Sequence, residues 1–99
     1  MVARVWKGET RATDLDAYTK LLEDTGRADA LATAGNRGVQ ILRRVVADRA
    51  EFVFVSLWES LDAIRGFAGP DLERARYYSE DERYLVSFPE YVEHYEVVD

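Results

Sequence analysis

The sequence predicts an α+β fold with the element order β-α-β-β-α-β, which is the ferredoxin-like plan. Three observations lead to this prediction. The length of 99 residues fits one domain over residues 1–99. Two segments carry apolar residues at helical spacing, and four short segments are rich in β-branched and aromatic residues. Right-handed crossovers then place both helices on one face of a four-stranded antiparallel sheet.

The first half of the chain supplies a strand, a helix and a second strand. Val2–Glu9 mixes Val, Ala and Trp with charged residues, which is typical of a strand. Thr13 is predicted to cap the helix that follows, with Asp16 as its capping-box partner. The helix carries apolar or half-apolar side chains at helical spacing and is expected to end at Gly26. Those side chains are Leu15, Tyr18, Leu21, Leu22 and Thr25.

A turn at Gly35–Gly38 leads into the second strand, which is predicted over Val39–Val46. Before that turn, the Ala and Leu content of Arg27–Ala34 indicates one or two further helical turns. A short hairpin at Ala47–Arg49 then connects to the third strand, Glu51–Glu59. The glycines of the turn lack the spacing of a phosphate-binding loop.

The second half supplies a helix, short helical turns and the last strand. Ser60 is predicted to cap a helix that ends at Gly69-Pro70. Its apolar face carries Leu61, Ile64, Phe67 and Ala68. Leu72–Tyr78 is predicted to form one or two helical turns. A capping box at Ser79–Glu82 opens a short helix through about Leu85, and Tyr91–Val98 is the last strand.

The third strand contains FVFVSLWES over Phe52–Ser60, a run with apolar residues on both faces. One face carries Phe52, Phe54, Ser56 and Trp58, and the other carries Val53, Val55 and Leu57. Two helices can cover only one of these faces, and soluble monomers avoid large exposed apolar patches. The sequence therefore predicts a homodimer through sheet-to-sheet packing around a two-fold axis. The alternative is that Gly69–Phe88 folds over the second face.

The composition of the chain disfavours some classes of binding partner and excludes some kinds of reactive site. The net charge of −6 and the pI near 4.8 disfavour nucleic acid and anionic membranes as partners. The absence of cysteine excludes disulfides, zinc–thiolate sites, iron–sulfur clusters and thiol nucleophiles. The chain begins without a signal-like apolar segment and has no run of eighteen apolar residues. We expect a soluble cytoplasmic protein.

Several segments resemble the antibiotic biosynthesis monooxygenase domain family. They are ARVWKGET, GNRGVQILRR, SLWESLDAIRGFAG, ERARYYSEDERYL and VEHYEVV, and they are similar to a subgroup of small bacterial members. The resemblance covers essentially the whole chain and implies a dimeric α+β barrel. It implies oxygenation of polycyclic aromatic molecules without metal or flavin, oxidation of quinols, or degradation of haem.

The same resemblance places Trp58 in a cavity between the sheet and the helices. Haem-degrading members also use an asparagine on the first strand and a histidine after this tryptophan. Val2–Glu9 contains no asparagine and Leu61–Leu85 contains no histidine, which argues against haem degradation. Only His94 is available as an axial ligand. We therefore predict no cofactor, and scattered carboxylates with one histidine predict no transition-metal site.

His94 and Arg4 are the candidate catalytic residues. His94 is the only histidine, and Arg4 lies on the strand expected to pair with it. A neutral histidine can remove a proton from an activated aromatic C–H or a phenol, and an arginine can stabilise the anion that then reduces O₂. The alternative for His94 is a hydrogen-bonded structural or interface residue.

Six aromatic residues are candidates for substrate binding: Trp58, Trp6, Tyr77, Tyr78, Phe54 and Phe67. Flat rings can stack on an aromatic ligand, although buried aromatic residues are also ordinary core. Tyr18 is predicted to be core with a polar tip, and Glu80–Glu82 an acidic first turn that complements the helix dipole.

The function predicted is a cofactor-independent monooxygenase acting on an aromatic, polyketide-like or quinol molecule. The alternative is a non-catalytic module of the same fold that binds a small apolar ligand or only dimerises.

Overall fold

The computed structural model describes residues 1–98 and shows an α+β fold built on one four-stranded antiparallel sheet. The strands are β1 (Val2–Arg11), β2 (Asn36–Val46), β3 (Arg49–Trp58) and β4 (Glu93–Glu96). The helices are α1 (Leu15–Leu22), α2 (Ala28–Leu31) and α3 (Leu61–Ala68). Short 3₁₀ turns cover Ala12–Asp14 and Ser79–Arg83, and a π-helical turn covers Glu23–Arg27.

The strand order is β2-β3-β1-β4, which is compatible with the predicted ferredoxin-like plan. β1 pairs with β3 from Val2 opposite Trp58 to Arg11 opposite Arg49. On its other side β1 pairs with β4, and this places Arg4 opposite His94. The order follows from two right-handed βαβ crossovers that share one sheet.

One face of the sheet forms the core. On β3 the alternate residues Phe52, Phe54 and Trp58 are buried, whereas the sequence predicts burial of both faces and leaves open which face the helices cover. Tyr18 of α1 packs with the two phenylalanines, and Ile64 of α3 packs with Trp58. Both helices therefore lie on the same face of the sheet. Ser60 caps α3 as predicted, because its Oγ accepts a hydrogen bond from the backbone N–H of Ala63 at 3.2 Å.

The other face of the sheet is open. Val53, Val55 and Leu57 are half-buried, while their neighbours Leu42 on β2 and Tyr95 on β4 are each 51% exposed. The segment between α3 and β4 follows the helix side and the free edge of β1. There Leu85 bridges Thr10, and Ser87 and Pro89 reach the rim of the open face. The helices thus cover one face, as expected.

Two predictions about the first helix are wrong. Thr13 does not cap it; a 3₁₀ turn precedes α1, and Asp14 stands at the cap position without a side-chain hydrogen bond. Gly26 does not end it, because the π-helical turn carries the chain on into α2. Gly26 is buried, and a Cβ atom there would lie 3.4 Å from the ring of Phe54. The glycine serves close packing of this turn on the sheet and not helix termination.

The predicted helical turns over Leu72–Tyr78 are absent from the described chain. This segment forms backbone hydrogen bonds with the residues just before β4. Ala75 N–H donates to Glu90 O at 2.9 Å, and Val92 N–H donates to Glu73 O at 2.7 Å. Arg74 and Tyr91 form an isolated bridge, and β4 proper begins at Glu93, later than predicted. Partners 15 to 19 residues away satisfy the backbone groups that a helix would have paired locally.

Candidate functional site

A cavity of about 40 Å³ lies between the helix side of the sheet, α1 and the segment before β4. Its wall is largely aromatic, and charged groups stand in it as well. The lining residues from the sheet and α1 are Arg4, Trp6, Tyr18, Leu22 and Phe54; those from elsewhere are Thr25, Gly26, Phe67, Arg76, Tyr77, Tyr78, Asp81 and Val92. The predicted catalytic arginine and five of the six predicted aromatic residues therefore meet here.

Arg4 is a buried cation, only 3% exposed. Its guanidinium donates to the carbonyl oxygens of Leu72 and Arg74, the latter at 3.0 Å. Among residues 1–98 it has no carboxylate at ion-pair distance. Burial without a counter-charge disfavours the charged form and lowers the pKa of Arg4 to about 10. The cavity therefore has one strong hydrogen-bond donor group whose charge no carboxylate among residues 1–98 neutralises.

His94 contacts Arg4 from the edge strand, as the sequence predicts. Its Nε2 lies 3.3 Å from Nη1 of Arg4. Because a guanidinium can only donate, Nε2 accepts, and the imidazole is neutral with its proton on Nδ1. Burial and the nearby Arg4 charge lower the pKa of His94, while Glu73 opposes them. His94 thus stands beside Arg4 at the edge of the sheet, outside the group of side chains that line the cavity.

Trp6 and Tyr77 form a hydrogen-bonded aromatic pair in the cavity wall. Their rings meet edge to face with centroids 6.2 Å apart, and the indole N–H donates to the Tyr77 hydroxyl at 3.1 Å. That hydroxyl donates in turn to Pro89 O at 2.5 Å. Burial raises the pKa of Tyr77. The Tyr77 hydroxyl donates one hydrogen bond and accepts another, and these two bonds fix the position of the ring. The ring therefore contributes to the shape of the cavity wall.

Four residues cover the solvent side of the cavity. Arg76 lies over the rings of Phe67 and Tyr78, at 4.8 and 5.0 Å from their centroids. Asp29 of α2 accepts hydrogen bonds from the Tyr78 hydroxyl at 2.5 Å and from Arg76 Nη2 at 3.2 Å. Burial and the bond to Asp29 raise the pKa of Tyr78. We call Asp29, Phe67, Arg76 and Tyr78 the cover.

Asp81 and Tyr18 are site residues that sequence reasoning missed. The buried Tyr18 hydroxyl donates to Asp81 Oδ1 at 2.9 Å, and Asp81 Oδ2 accepts from the backbone N–H of Tyr78 at 2.8 Å. Burial, followed by the Asp81 charge and hydrogen bond, raises the pKa of Tyr18. Asp81 is 4% exposed and has no cation at ion-pair distance among the described residues. In the run Glu80–Glu82 only the middle member, Asp81, is buried. The sequence marks the run as acidic but does not show which of its members is buried.

Trp58 lies next to the cavity wall, in the neighbouring core cluster. It is fully buried with Ala30 and Ile64, and its indole N–H donates to Ser56 Oγ at 2.8 Å. Its ring centroid is 5.7 Å from that of Phe67, which does line the cavity. Trp58 therefore packs against Phe67, which lines the cavity, and is not itself a lining residue. Direct contact between Trp58 and a ligand stays a prediction.

Residues 1–98 contain no group of three or more His, Asp or Glu side chains that could hold a metal ion. No helix in this range is long and apolar enough to cross a membrane.

Comparison with known proteins identifies no family for this chain. No protein-family model matches the sequence, and no curated protein matches it. The family resemblance of the sequence therefore stays a prediction.

Proposed function

We propose that the protein is a homodimeric, cofactor-independent monooxygenase that oxidises a small aromatic, polyketide-like or quinol molecule in the aromatic cavity. The observation that carries the proposal is Arg4, a buried guanidinium in an aromatic wall with no carboxylate partner among residues 1–98. Preorganised donors in a water-poor site stabilise developing negative charge most effectively. An oxygenase that works without a cofactor needs such a group, because its substrate must first become an anion.

For a substrate with an activated CH₂ group, such as an anthrone, the reaction balances without any further reductant; a quinol would instead give two electrons and two protons to O₂, leaving a quinone and H₂O₂. A base removes a proton from an activated CH₂ group, and the resulting enolate gives one electron to O₂. The substrate radical and superoxide combine into a peroxide, which takes up the proton and then loses water. The net change converts CH₂ and O₂ into C=O and H₂O, so the substrate supplies all four electrons.

Arg4 would stabilise the enolate oxygen, and His94 is the candidate base. The lowered pKa of His94 keeps the imidazole neutral near pH 7, which a base requires. Its Nε2 is engaged by Arg4 Nη1 at 3.3 Å. We propose that the carbonyl oxygen of the bound substrate draws the guanidinium toward the cavity, which releases Nε2 of His94 to accept the proton as the enolate forms.

The open sheet face supports the homodimer. Its central residues Val53, Val55 and Leu57 are half-buried, and Leu42 and Tyr95 beside them are largely exposed. A second copy that packs sheet against sheet would remove this apolar surface from water, at roughly 25 cal/mol per Å². The resulting assembly is the dimeric α+β barrel that the sequence resemblance implies.

The cavity must enlarge to take such a substrate. Its volume of about 40 Å³ is far below the roughly 300–1,000 Å³ of typical ligand pockets. The cover is the part that we expect to move, because the side chains of Arg76 and Asp29 are partly exposed and their ion pair at 3.2 Å is open to solvent. We propose that a ligand displaces Arg76 and Tyr78 when it binds.

A second candidate function is non-catalytic binding of a small aromatic ligand in the same cavity. The specific observation in its favour is that Arg4 already occupies Nε2 of His94. In that case the histidine only holds the guanidinium in place. Binding without oxygen consumption would identify this function.

Oxygen uptake with an anthrone or a quinol tests the proposal. Wild-type protein should consume O₂ at a rate proportional to enzyme, Arg4→Gln should lose about two to three orders of magnitude, and exposed Arg83→Gln should retain the wild-type rate. Circular dichroism should show that both variants fold. Ligand binding without O₂ uptake would exclude the oxygenase and favour the binding module, and a Soret band on adding haemin that His94→Ala removes would point to haem instead.

A further inference from the structure

Two buried charges of opposite sign line the same cavity, and neither has an ion-pair partner among residues 1–98. Arg4 is 3% exposed and Asp81 is 4% exposed. Burying a charge is costly unless something compensates it. Hydrogen bonds from the Tyr18 hydroxyl and the Tyr78 N–H compensate Asp81 in part, and two carbonyl oxygens do the same for Arg4.

The two charges stand toward different ends of the cavity. Arg4 lies near the start of β1, opposite His94. Asp81 lies in the 3₁₀ turn that leads to Leu85, and Leu85 bridges Thr10 near the end of β1. The aromatic ring of Trp6 stands between these levels of the sheet.

Each charged group has unused hydrogen-bonding capacity. A guanidinium has five N–H donors, and Arg4 uses three of them, on Leu72, Arg74 and His94. A carboxylate offers about four lone-pair positions, and Asp81 uses two. The Arg4 end can therefore bind an anionic or carbonyl oxygen, and the Asp81 end can accept an O–H hydrogen bond.

We infer that the ligand is a planar hydroxyarene with an anionic or carbonyl oxygen at its far end. Asp81 accepts a hydrogen bond from the hydroxyl group, Arg4 binds the opposite oxygen, and the rings of Trp6 and Phe54 pack against the flat body. The inference rests on the proposed function only in that the cavity binds a small molecule. It is tested by equilibrium binding, with no turnover.

Two pairs of probes, one shorter and one longer, test the hydrogen bond expected at the Asp81 end of the cavity. The pairs are 4-hydroxybenzoate with 4-methoxybenzoate, and 6-hydroxy-2-naphthoate with 6-methoxy-2-naphthoate, followed by calorimetry without oxygen. For at least one pair we expect methylation of the hydroxyl group to weaken binding to wild-type protein roughly ten- to a hundredfold, as for hydrogen bonds to charged groups. In Asp81→Asn this factor should fall close to one. In Glu82→Gln, an exposed neighbour in the same turn, it should stay at the wild-type value.

The Arg4 end has its own comparison. Conversion of the probe carboxylate to its methyl ester should weaken binding to wild-type protein at least tenfold, and Arg4→Gln should abolish most of that preference. The factors are ratios between two ligands on one protein, so a uniform loss of stability does not change them. If Asp81→Asn does not fold, Tyr18→Phe replaces it. That variant frees one Asp81 oxygen and should increase the preference for the hydroxyl probe.

The inference is overturned by hydroxyl and methoxy probes that bind wild-type protein equally, by a preference that persists in Asp81→Asn, or by a preference unchanged in Tyr18→Phe. Absence of binding by all four probes up to millimolar concentration would also overturn it. If these binding results were found but the protein still consumed oxygen with an anthrone, the proposed function would hold and the ligand would have a different orientation. Selective binding without oxygen uptake would support the inference and exclude the oxygenase.

Discussion

Nη1 of Arg4 lies 3.3 Å from Nε2 of His94, and this contact joins the buried cation of the cavity to the only histidine of the chain. The two residues face each other across the β1–β4 pairing. A neutral imidazole satisfies one guanidinium N–H, which a protonated imidazole cannot do. The protonation state of His94 therefore decides whether Arg4 keeps all three of its present acceptors.

The titration of His94 should report this contact. Because burial and the Arg4 charge both disfavour the imidazolium, we expect the pKa of His94 to lie below 6.5 in the folded protein. In Arg4→Met the pKa should rise toward 6.5. The single histidine gives one isolated Cε1 proton signal for NMR titration. A wild-type pKa above 6.5 would contradict the prediction.

The same shift makes stability depend on pH. Between the lowered pKa and 6.5 the unfolded chain binds more protons than the folded protein, so the free energy of unfolding should decrease as the pH falls through this window. His94→Gln should remove this component and leave the slope that the carboxylates cause. Urea unfolding of both proteins between pH 7.5 and 5 measures the difference. Parallel curves would exclude a role for His94.

Removal of the Ser56 hydroxyl should destabilise the protein. Ser56 Oγ accepts the indole N–H of the fully buried Trp58 at 2.8 Å. In Ser56→Ala the indole loses this acceptor, which should lower the free energy of unfolding by about 1–3 kcal/mol. Ser87→Ala, on the exposed segment before β4, is the matched control and should change it by less than about 0.5 kcal/mol. Equal unfolding midpoints for the two variants would be inconsistent with this hydrogen bond.

A methyl group at Gly8 should displace the Trp6 ring from the cavity wall. A Cβ atom on Gly8 would lie 2.5 Å from Cζ2 of Trp6 and closer still to Cη2. Gly8→Ala should therefore cost about 1–3 kcal/mol of stability, as overpacking does. The smaller ring in Trp6→Phe should remove most of that cost, so the double variant should be more stable than the sum of the two single changes predicts. Additive losses would show that the indole does not overlie Gly8.

The proposed dimer predicts a specific sensitivity at Val55. This half-buried side chain lies at the centre of the open sheet face, between Val5 and Gln40. Val55→Glu should weaken association at least tenfold, because two carboxylates would face an apolar surface near the symmetry axis. Leu31→Glu, an exposed position on the helix side, should leave association unchanged. Sedimentation of wild-type protein as one 11.3 kDa species at micromolar concentration would refute the dimer.

Loosening the cover should speed the binding of ligand. Asp29 holds both Tyr78 and Arg76 through Oδ2. In Asp29→Ala these two side chains lose their shared acceptor, so we expect a several-fold higher association rate constant for an aromatic probe. Stopped-flow quenching of Trp6 fluorescence, with Trp58 replaced by Phe, measures it. Asp62→Ala on α3 is the control, and an unchanged rate in Asp29→Ala would show that the cover does not limit access.

Features that depend on local pattern were predictable from the sequence. The division of the β3 side chains between the two faces of the sheet and the cap at Ser60 require only neighbouring residues. The meeting of Arg4 with His94 follows from strand order, because the last strand must pair with the first. In each case the residues that determine the structure are close in sequence or joined by a regular ladder.

Features that depend on irregular segments were not predictable. Asp81 and Tyr18 are 63 residues apart in the chain, and no periodicity links a residue of a 3₁₀ turn to a helix face. Leu72–Tyr78 has the composition of a helical turn, but its backbone pairs with residues 90–92 instead. The position of Trp58 also depends on irregular structure, because the segments around the cavity decide which aromatic rings line it.

The π-helical turn over Glu23–Arg27 fixes the rotational phase of everything that follows it in the helix. A residue advances an α-helix by about 100°, and a π-helical turn absorbs one extra residue. If the same residues ran on as a regular α-helix, the extra residue would turn α2 by about that angle, moving Ala30 out of the core and Asp29 away from Arg76 and Tyr78. The cover of the cavity thus depends on the π-helical geometry of this turn as much as on the identity of its residues.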